Sequence, residues 1–334
     1  MSSPKIVVIG GGTGSYVVLK GLKHHTPNLT AIVTMTDSGG SSGRLRDQLG
    51  QLPPGDVRQC LLGLSPDNHS DLIFRQLLDY RFDRGEGLEG HSFGNLLLAA
   101  LTEITGSIAD AIVEAGQMLQ IKGTVLPVTL TNTDLHARLI DGTEVAGEAS
   151  IDVRRIKPGV GIDYVYLNPK AYVYPPVVNA IEEADLVVMG PGDLYTSIVP
   201  NLLVDGVSDA IRKSRARVAY VVNLMTKPGE SDSFKASDFV KEVQEYLGSA
   251  ARIDYLVVND AHIPDKVLER YKRTYSHPVE LDLEECSRLV RQILQRPLVV
   301  SGTPIRHDSE ALAQAIMEIV SELSAPADSP TPAG

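Results

Sequence analysis

The sequence KIVVIGGGTG at residues 5–14 joins an apolar run directly to a turn of four glycines and one threonine. A second apolar run, at 31–36, ends in another glycine-rich turn. A helical pattern follows each turn, so each can direct free backbone N–H groups and the positive end of a helix dipole at an anion. Two such turns on neighbouring strands suit a diphosphate, and they predict nucleotide binding. The turn residues are Gly10, Gly11, Gly12, Thr13 and Gly14 in the first turn, and Asp37, Ser38, Gly39, Gly40, Ser41, Ser42, Gly43 and Arg44 in the second.

The chemistry of these turns leaves alternatives open. We expect the glycines of the first turn to adopt positive φ angles and to let a phosphate approach the backbone, because glycine has no Cβ. The turn supplies only two of the three glycines in the dinucleotide pattern G-x-G-x-x-G, since Ser15 takes the third place. NAD binding and a purely structural turn therefore remain alternatives. Asp37 ends the second strand, where a carboxylate can bind a ribose or Mg2+.

Composition limits the class of function. The chain has 334 residues, 43% of them hydrophobic, which is enough for one large domain or two modest ones. Its net charge of −11 argues against nucleic-acid binding, which depends on clustered Lys and Arg. No apolar run approaches the roughly 20 residues of a membrane span. The first predicted strand begins almost at residue 1, so we expect no signal peptide and a cytoplasmic protein, with Cys60 and Cys286 as reduced thiols.

The pattern of apolar runs predicts the fold class. Most runs are continuous in Val, Ile and Leu, which is typical of parallel strands that helices cover on both faces. Helical patterns lie between the runs, so we predict a doubly wound, mostly parallel α/β sheet. The predicted strands are 5–9, 31–36, 124–130, 185–189, 217–223, 253–259 and 298–300, and the predicted helices are 15–23, 70–81, 94–103, 108–119, 207–213, 237–247 and 308–323.

Residues 135–169 do not follow this pattern. Asp141 and Gly142 lie between two short runs, 138–140 and 144–147, which is a strong signal of a two-residue hairpin turn. We expect an antiparallel hairpin insertion here, as a small subdomain or a lid, within a single domain that covers 1–324. Residues 325–334 contain three prolines and no large apolar side chain, so we expect a disordered tail.

Further candidate site residues lie where helices begin. His91 and Asn95 place an imidazole and an amide at a helix entry, where they can contact a sugar or a phosphate, with a capping or core role as the alternative. Asp56 and Arg58 lie at another helix entry. We expect Asp56 to be an N-cap or a site residue, and Arg58 to bind a phosphate or a neighbouring carboxylate.

Later parts of the chain supply three more candidates. Asn223 ends a buried strand at the carboxyl edge of the sheet, where ligands of open α/β sheets bind. Tyr271 suits stacking on a pyrimidine, although packing of an amphipathic helix explains it equally well. Arg306 follows the last predicted strand and suits contact with a phosphate.

Six ordered motifs together resemble one family. The chain is similar over residues 5–323 to the YvcK branch of the CofD-like (UPF0052) proteins, the group called gluconeogenesis factors. This resemblance implies a Rossmann-like core, a cytoplasmic location, binding of UDP-sugars such as UDP-N-acetylglucosamine, and regulation of cell shape and of carbon flux during gluconeogenic growth. The motifs are GGGTG at 10–14, TDSGGSSGRLR at 36–46, PPGDVRQCL at 53–61, GHSFGNLLLAALTEI at 90–104, GPGDLYTSIVPNLLV at 190–204 and VVNLMTKPGES at 221–231.

The sister CofD branch implies an alternative activity. Its members transfer a 2-phospholactyl group from a nucleotide diphosphate donor to a deazaflavin alcohol, with Mg2+. Ser38 stands where the family usually has a second aspartate, so Asp37 is the one candidate Mg2+ ligand in this turn, which weakens the transferase alternative. Asp193 replaces a common serine and is expected to be an N-cap or an added ligand. The resemblance places further nucleotide-binding residues in the fifth motif, at Gly190, Gly192, Asp193, Tyr195 and Thr196.

These observations predict a UDP-sugar-binding regulator rather than an enzyme, with the Mg2+-dependent transferase as the first alternative and an NAD-binding oxidoreductase as the second. We expect a small-molecule ligand and no nucleic acid or membrane span. A homo-oligomer is compatible with the sequence, which does not identify a regulatory protein partner.

Overall fold

The structure is a computed structural model that describes residues 3–67, 69–152, 160–248, 252–300 and 304–324. The predicted tail at 325–334 lies outside the described residues. Ten strands are described: β1 (Ile6–Gly10), β2 (Leu29–Val33), β3 (Thr124–Pro127), β4 (Asp134–Leu139), β5 (Glu144–Ala146), β6 (Ile162–Asn168), β7 (Leu186–Met189), β8 (Arg217–Val221), β9 (Tyr255–Asn259) and β10 (Gln292–Arg296).

The described helices connect these strands, and a π-helical turn at Leu194–Ile198 precedes the ninth of them. They are α1 (Gly12–Leu22), α2 (Gly40–Leu49), α3 (Gly55–Leu64), α4 (His69–Asp79), α5 (Phe93–Thr105), α6 (Ile108–Leu119), α7 (Glu148–Asp152), α8 (Pro175–Glu182), α9 (Val199–Leu202), α10 (Val207–Lys213), α11 (Ala236–Leu247), α12 (Asp265–Lys272), α13 (Leu283–Leu289) and α14 (Ser309–Ser324).

Seven strands form one parallel sheet in the order β3-β2-β1-β7-β8-β9-β10. The chain winds outward from β1 to β3, returns to the centre at β7, and then winds outward to β10. Right-handed crossovers in the two directions place helices on opposite faces of the sheet. Every residue of β1 and of β7 is therefore buried. The prediction of a doubly wound, mostly parallel α/β sheet is confirmed.

The antiparallel insertion is also confirmed. A three-stranded sheet has the order β5-β4-β6, with β4 antiparallel to both neighbours. At the hairpin turn Gly142 has a φ of +84°, and the Thr143 amide donates a 2.9 Å hydrogen bond to Asp141 Oδ1. This is the local geometry that an Asp-Gly turn favours. Helix α7 follows this hairpin and returns the chain toward the large sheet.

The predicted strand at 298–300 is wrong, because the last strand of the sheet is β10, Gln292–Arg296. β10 is an edge strand with one neighbour, so most of its side chains are only partly buried, and its sequence, QILQR, contains only two apolar residues. The apolar residues Leu298 to Val300 lie beyond it, where Val299 forms an isolated bridge with His307. The continuous apolar run at 298–300 therefore led to a wrong prediction of the last strand of the sheet.

Within the described residues, no single helix is long and apolar enough to cross a membrane. Helices α5 and α6 reach that length only as a pair, and the chain bends by 120° between them.

We expect Leu19→Ala to lower the free energy of unfolding by about 2–5 kcal/mol. Leu19 is fully buried on α1, where this helix packs against α3 and α14. Urea denaturation measures the change. The matched control is Lys20→Ala on the next, exposed position, with an expected change within about 0.5 kcal/mol. Equal effects of the two substitutions would contradict this packing of α1.

Candidate functional site

A cavity of about 470 Å³ lies at the carboxyl ends of β1, β2 and β7, where the direction of winding reverses. Ligands of doubly wound sheets bind at this point of the fold. We name it the switch-point cavity. Its lining residues are Gly12, Thr13, Gly14, Asp37, Asp56, Glu148, Gly192, Asp193, Thr196 and Ser197.

The first turn of α1 faces the switch-point cavity. The helix begins after Gly11, which has no side chain with which to cap the N-terminus. The Gly12 amide hydrogen-bonds the Asp56 carboxylate. The Thr13 and Gly14 amides, like those in the first turn of any α-helix, have no intrahelical acceptor. The positive end of the helix dipole and these amides are therefore available to an anion in the cavity.

The glycines of this turn are required by space and not by backbone angle. The expectation of positive φ is wrong, because none of the glycines at 10–14 has a positive φ. A Cβ at Gly14 would overlap the Pro191 carbonyl oxygen, and a Cβ at Gly12 would lie 2.5 Å from Asp56 Oδ1. Glycine thus allows the turn after β1 to lie in close contact with two other segments at the cavity, one at Asp56 and one at Pro191.

The second glycine-rich turn contributes only Asp37 to the lining of the cavity. Asp37 Oδ1 accepts a 2.9 Å hydrogen bond from the Gly39 amide, and Gly40 begins α2 with a φ of +42°. The Ser41 hydroxyl lies 3.0 Å from His91 Nδ1, and the Ser42 hydroxyl accepts a hydrogen bond from Asn95. Both hydroxyls therefore bind protein groups behind the turn. Gly43 packs against the Ser38 carbonyl, and Arg44 donates to the Glu89 carbonyl.

His91 and Asn95 connect helices and do not line the switch-point cavity. Burial lowers the pKa of His91, and the charges of Arg44 and Arg81 act in the same direction. Asn95 Oδ1 accepts a 3.0 Å hydrogen bond from Arg58 Nε. Arg58 also forms a 2.6 Å ion pair with Asp79, so the structure shows the carboxylate alternative predicted for this arginine.

The loop after β7 forms the opposite wall of the cavity. Gly190 has a φ of +77°, and Gly192 and Asp193 follow it at the cavity. Asp193 precedes the π-helical turn, but its side chain makes no capping hydrogen bond, so the predicted N-cap role is wrong. Thr196 Oγ1 and the Tyr195 amide both donate to the Glu230 carboxylate at 3.2 Å. The Tyr195 side chain is buried away from the lining residues.

Lys227 neutralises a cluster of three carboxylates beside the cavity. Its Nζ bonds Asp152, lies 2.6 Å from Asp193, and lies 2.9 Å from Glu230. One oxygen from each carboxylate lies within 4.8 Å of the others, a spacing that suits a metal, but the ammonium group already binds all three. Burial opposes the charge of Lys227, yet the carboxylates hold its pKa above the usual value. Burial raises the pKa of Glu230 to about 7, against the opposing effect of Lys227.

Asp37, Asp56 and Glu148 form a second acidic group, which no lysine or arginine among the lining residues neutralises. Burial, followed by repulsion from Asp37, raises the pKa of Asp56 to about 7 and that of Glu148 to about 8. Mg2+ is commonly held by one or two carboxylates together with substrate phosphates, so any one or two of these residues are candidate ligands. The sequence analysis missed Glu148, which has no motif around it.

A smaller cavity of about 200 Å³, which we name the distal cavity, adjoins the first. Asn223 and Arg306, two of the predicted site residues, line it, and the Arg306 side chain is exposed. Tyr271 is not a lining residue. Its hydroxyl accepts a 2.8 Å hydrogen bond from the Ile305 amide and so holds the segment that carries Arg306.

Residues 6–299 match the family model described as 2-phospho-L-lactate transferase CofD, and the chain therefore belongs to the CofD family. Within it, the chain is 40% identical to the gluconeogenesis factor of Bacillus subtilis, covering 96% of this chain and 99% of the relative. It is 42% identical to the gluconeogenesis factor of Halalkalibacterium halodurans, covering 95% and 97%. A crystal structure of a UPF0052 family member from Bacillus halodurans matches with a TM-score of 0.89 and 40% identity, covering 95% of this chain and 99% of that one. The resemblance inferred from the motifs is confirmed.

We expect the free energy of unfolding to fall as the pH rises from about 5.5 to 8.5 in the absence of divalent cations. Unfolded Asp and Glu titrate near pH 4. In the folded state the pKa of Asp56 is about 7 and that of Glu148 about 8, so the folded state binds more protons across this range and loses stability as they dissociate. Urea denaturation in EDTA at several pH values measures the slope.

Glu148→Gln removes one of these titrations and should flatten the slope. The control is Glu144→Gln, which changes an exposed glutamate on β5 and should leave the slope as it is. An unchanged slope in Glu148→Gln would contradict the raised pKa of this carboxyl.

Proposed function

We propose that this chain binds a UDP-sugar of the UDP-N-acetylglucosamine type at the switch-point cavity. The observation that carries the proposal is the first turn of α1, because Thr13 and Gly14 lie at the cavity and their amides have no intrahelical acceptor. A diphosphate is the kind of anion that such a helix terminus binds. The cavity lies at the switch point, where doubly wound sheets bind nucleotides.

We propose further that the nucleotide binds with Mg2+. Asp37, Asp56 and Glu148 would repel a bare diphosphate, and Lys227 is already paired with three carboxylates. A divalent cation held by the acidic group would neutralise both the carboxylates and the phosphate oxygens. This chain's residues would then orient the diphosphate between the cation and the first turn of α1.

The biological role is proposed from the relatives. The similar proteins of B. subtilis and H. halodurans are named gluconeogenesis factors. We propose that this chain is a cytoplasmic regulator of cell shape and of carbon flux during gluconeogenic growth, and that its occupied state reports the supply of a UDP-sugar. A ligand can control such a state only if it binds two conformations with different affinities.

A CofD-like, Mg2+-dependent phospholactyl transferase is the second candidate. The observation that favours it is the pair of carboxylates, Asp56 and Glu148, beside Asp37. They compensate for Ser38, which stands in place of a second acidic residue in the turn. Phosphoryl transfer depends on positioning and on neutralising charge, and this acidic group could supply both.

We expect calorimetry to give micromolar affinity for UDP-N-acetylglucosamine with Mg2+, about −8 kcal/mol, and weaker affinity for NAD and ATP. Equal or tighter binding of NAD would refute the proposed ligand class.

To separate the regulator from the transferase, the protein is incubated with Mg2+ and UDP-sugars, or with phospholactyl-guanosine diphosphate and a deazaflavin alcohol. Nucleotide release beyond one equivalent of protein would establish the enzyme.

We expect Thr13→Asp to weaken nucleotide binding by about 100-fold or more, because a carboxylate a few ångströms from a phosphate repels it strongly in a partly buried site. Thr13 is exposed in the first turn of α1, so the fold tolerates the substitution. Thr13→Asn is the matched control, with the same shape and no charge. If the two variants bind equally well in calorimetry, the diphosphate does not lie at this turn.

We expect Asp37→Asn to abolish most of the Mg2+ enhancement of nucleotide affinity. The amide oxygen can still accept the hydrogen bond from Gly39, so the turn is retained while one anionic ligand is lost. Titrations with Mg2+ and with EDTA measure the enhancement. Asp47→Asn, on the exposed face of α2, is the control. Binding by the unaltered protein that does not depend on Mg2+ would refute the metal role.

A further inference from the structure

The distal cavity adjoins the switch-point cavity. Thr13, Gly14, Gly192 and Asp193 line both of them. A ligand whose diphosphate lies at the first turn of α1 can therefore extend directly into the distal cavity. The group that enters it is one attached to the diphosphate.

Two buried polar atoms of residues that line the distal cavity have no hydrogen-bond partner among the described residues. They are Asn223 Oδ1, at the end of β8, and His307 Nε2, in the segment before α14. His307 is only 8% exposed. Most buried polar atoms are paired, and leaving one without a partner costs about 1–3 kcal/mol. Because both residues line the same cavity, a ligand bound there can supply the missing partners after a small movement of the side chains.

The chemistry of the distal cavity suits a neutral, planar ring. Burial lowers the pKa of His307 to about 4, against the opposing effect of a hydrogen bond with the Val222 backbone, so the imidazole is uncharged at neutral pH. Val17, Leu224 and Ile305 provide apolar surface for the faces of a ring. An uncharged imidazole and a carboxamide recognise N–H and C=O groups at a ring edge, whereas the charge in this cavity is carried by Arg306 and Asp193.

We propose that the distal cavity receives the nucleobase and that Asn223 and His307 determine base specificity by hydrogen-bonding its edge. The inference rests on the proposed nucleotide-sugar function and adds His307 to its residues. A carboxamide can accept from an imide N–H through Oδ1 and donate to the adjacent carbonyl through Nδ2, which is the pattern that the uracil edge presents. A site that hydrogen-bonds one such edge rejects an analogue that lacks the donor.

The first test changes the ligand and leaves the protein intact. Calorimetry compares UDP-N-acetylglucosamine with its N3-methyluracil analogue, which lacks the ring N–H. We expect the methylated analogue to bind at least about tenfold more weakly to the unaltered protein. Equal affinity would overturn the inference, and the proposed function would stand. If neither nucleotide binds, the proposed function itself fails.

The second test identifies the residues that hydrogen-bond the edge of the base. The preference is the ratio of the affinity for the unmethylated nucleotide to the affinity for the methylated analogue. We expect Asn223→Ala and His307→Leu each to lower this ratio toward one, as in a double-mutant cycle between protein and ligand. His24→Leu, at an exposed histidine after the far end of α1, should keep the full preference. Circular dichroism shows whether each variant is folded. If His307→Leu does not fold, Asn223→Ala alone decides the outcome, because Asn223 is only half-buried. A folded Asn223→Ala with an unchanged preference would overturn the assignment.

Discussion

The close approach of three loops at the switch point is the constraint on which the site depends. The turn after β1 leaves no room for a Cβ at Gly14, where the Pro191 carbonyl packs, or at Gly12, where Asp56 packs. Because the contact at Gly14 is made with the backbone of Pro191, the main chain sets the spacing of these two loops. The α1 N-terminus is thereby fixed at the centre of the parallel sheet.

The balance of charge at the site follows from this geometry. Loops that meet so closely bring Asp37, Asp56 and Glu148 together from three distant parts of the chain, and Lys227 is already bound to a different set of carboxylates. The cavity therefore combines a helix terminus that favours an anion with side chains that repel one. The proposed divalent cation would resolve this conflict, since it would be attracted to both the carboxylates and a phosphate.

The fold and the first turn of the site could be predicted from the sequence, because both depend on local patterns. The apolar runs of β1 and β7 and the glycines at 10–14 encode a buried strand followed by a tight turn. The roles of His91 and Asn95 could not be predicted, since a residue type at a helix entry does not reveal that its side chain points to Ser41 or Ser42. Glu148 reaches the cavity only because an antiparallel sheet 110 residues later folds back onto the turn at Ser38. Contacts between residues so far apart in the sequence leave no local sequence pattern from which they could be predicted.

The position of β1 also determines when the site can form. β1 lies between β2 and β7, and its pairing with β7 joins residues as far apart as Lys5 and Asp185, which are 180 positions apart. Contacts of such long range form slowly, and a nascent chain is synthesised from its N-terminus at about 5–20 residues per second. The glycine turn, although it is among the first residues made, gains its second wall only after more than half of the protein has left the ribosome. Until then, the edge of β1 that later pairs with β7 is open, and an open strand edge in a nascent chain is a place where aggregation can begin.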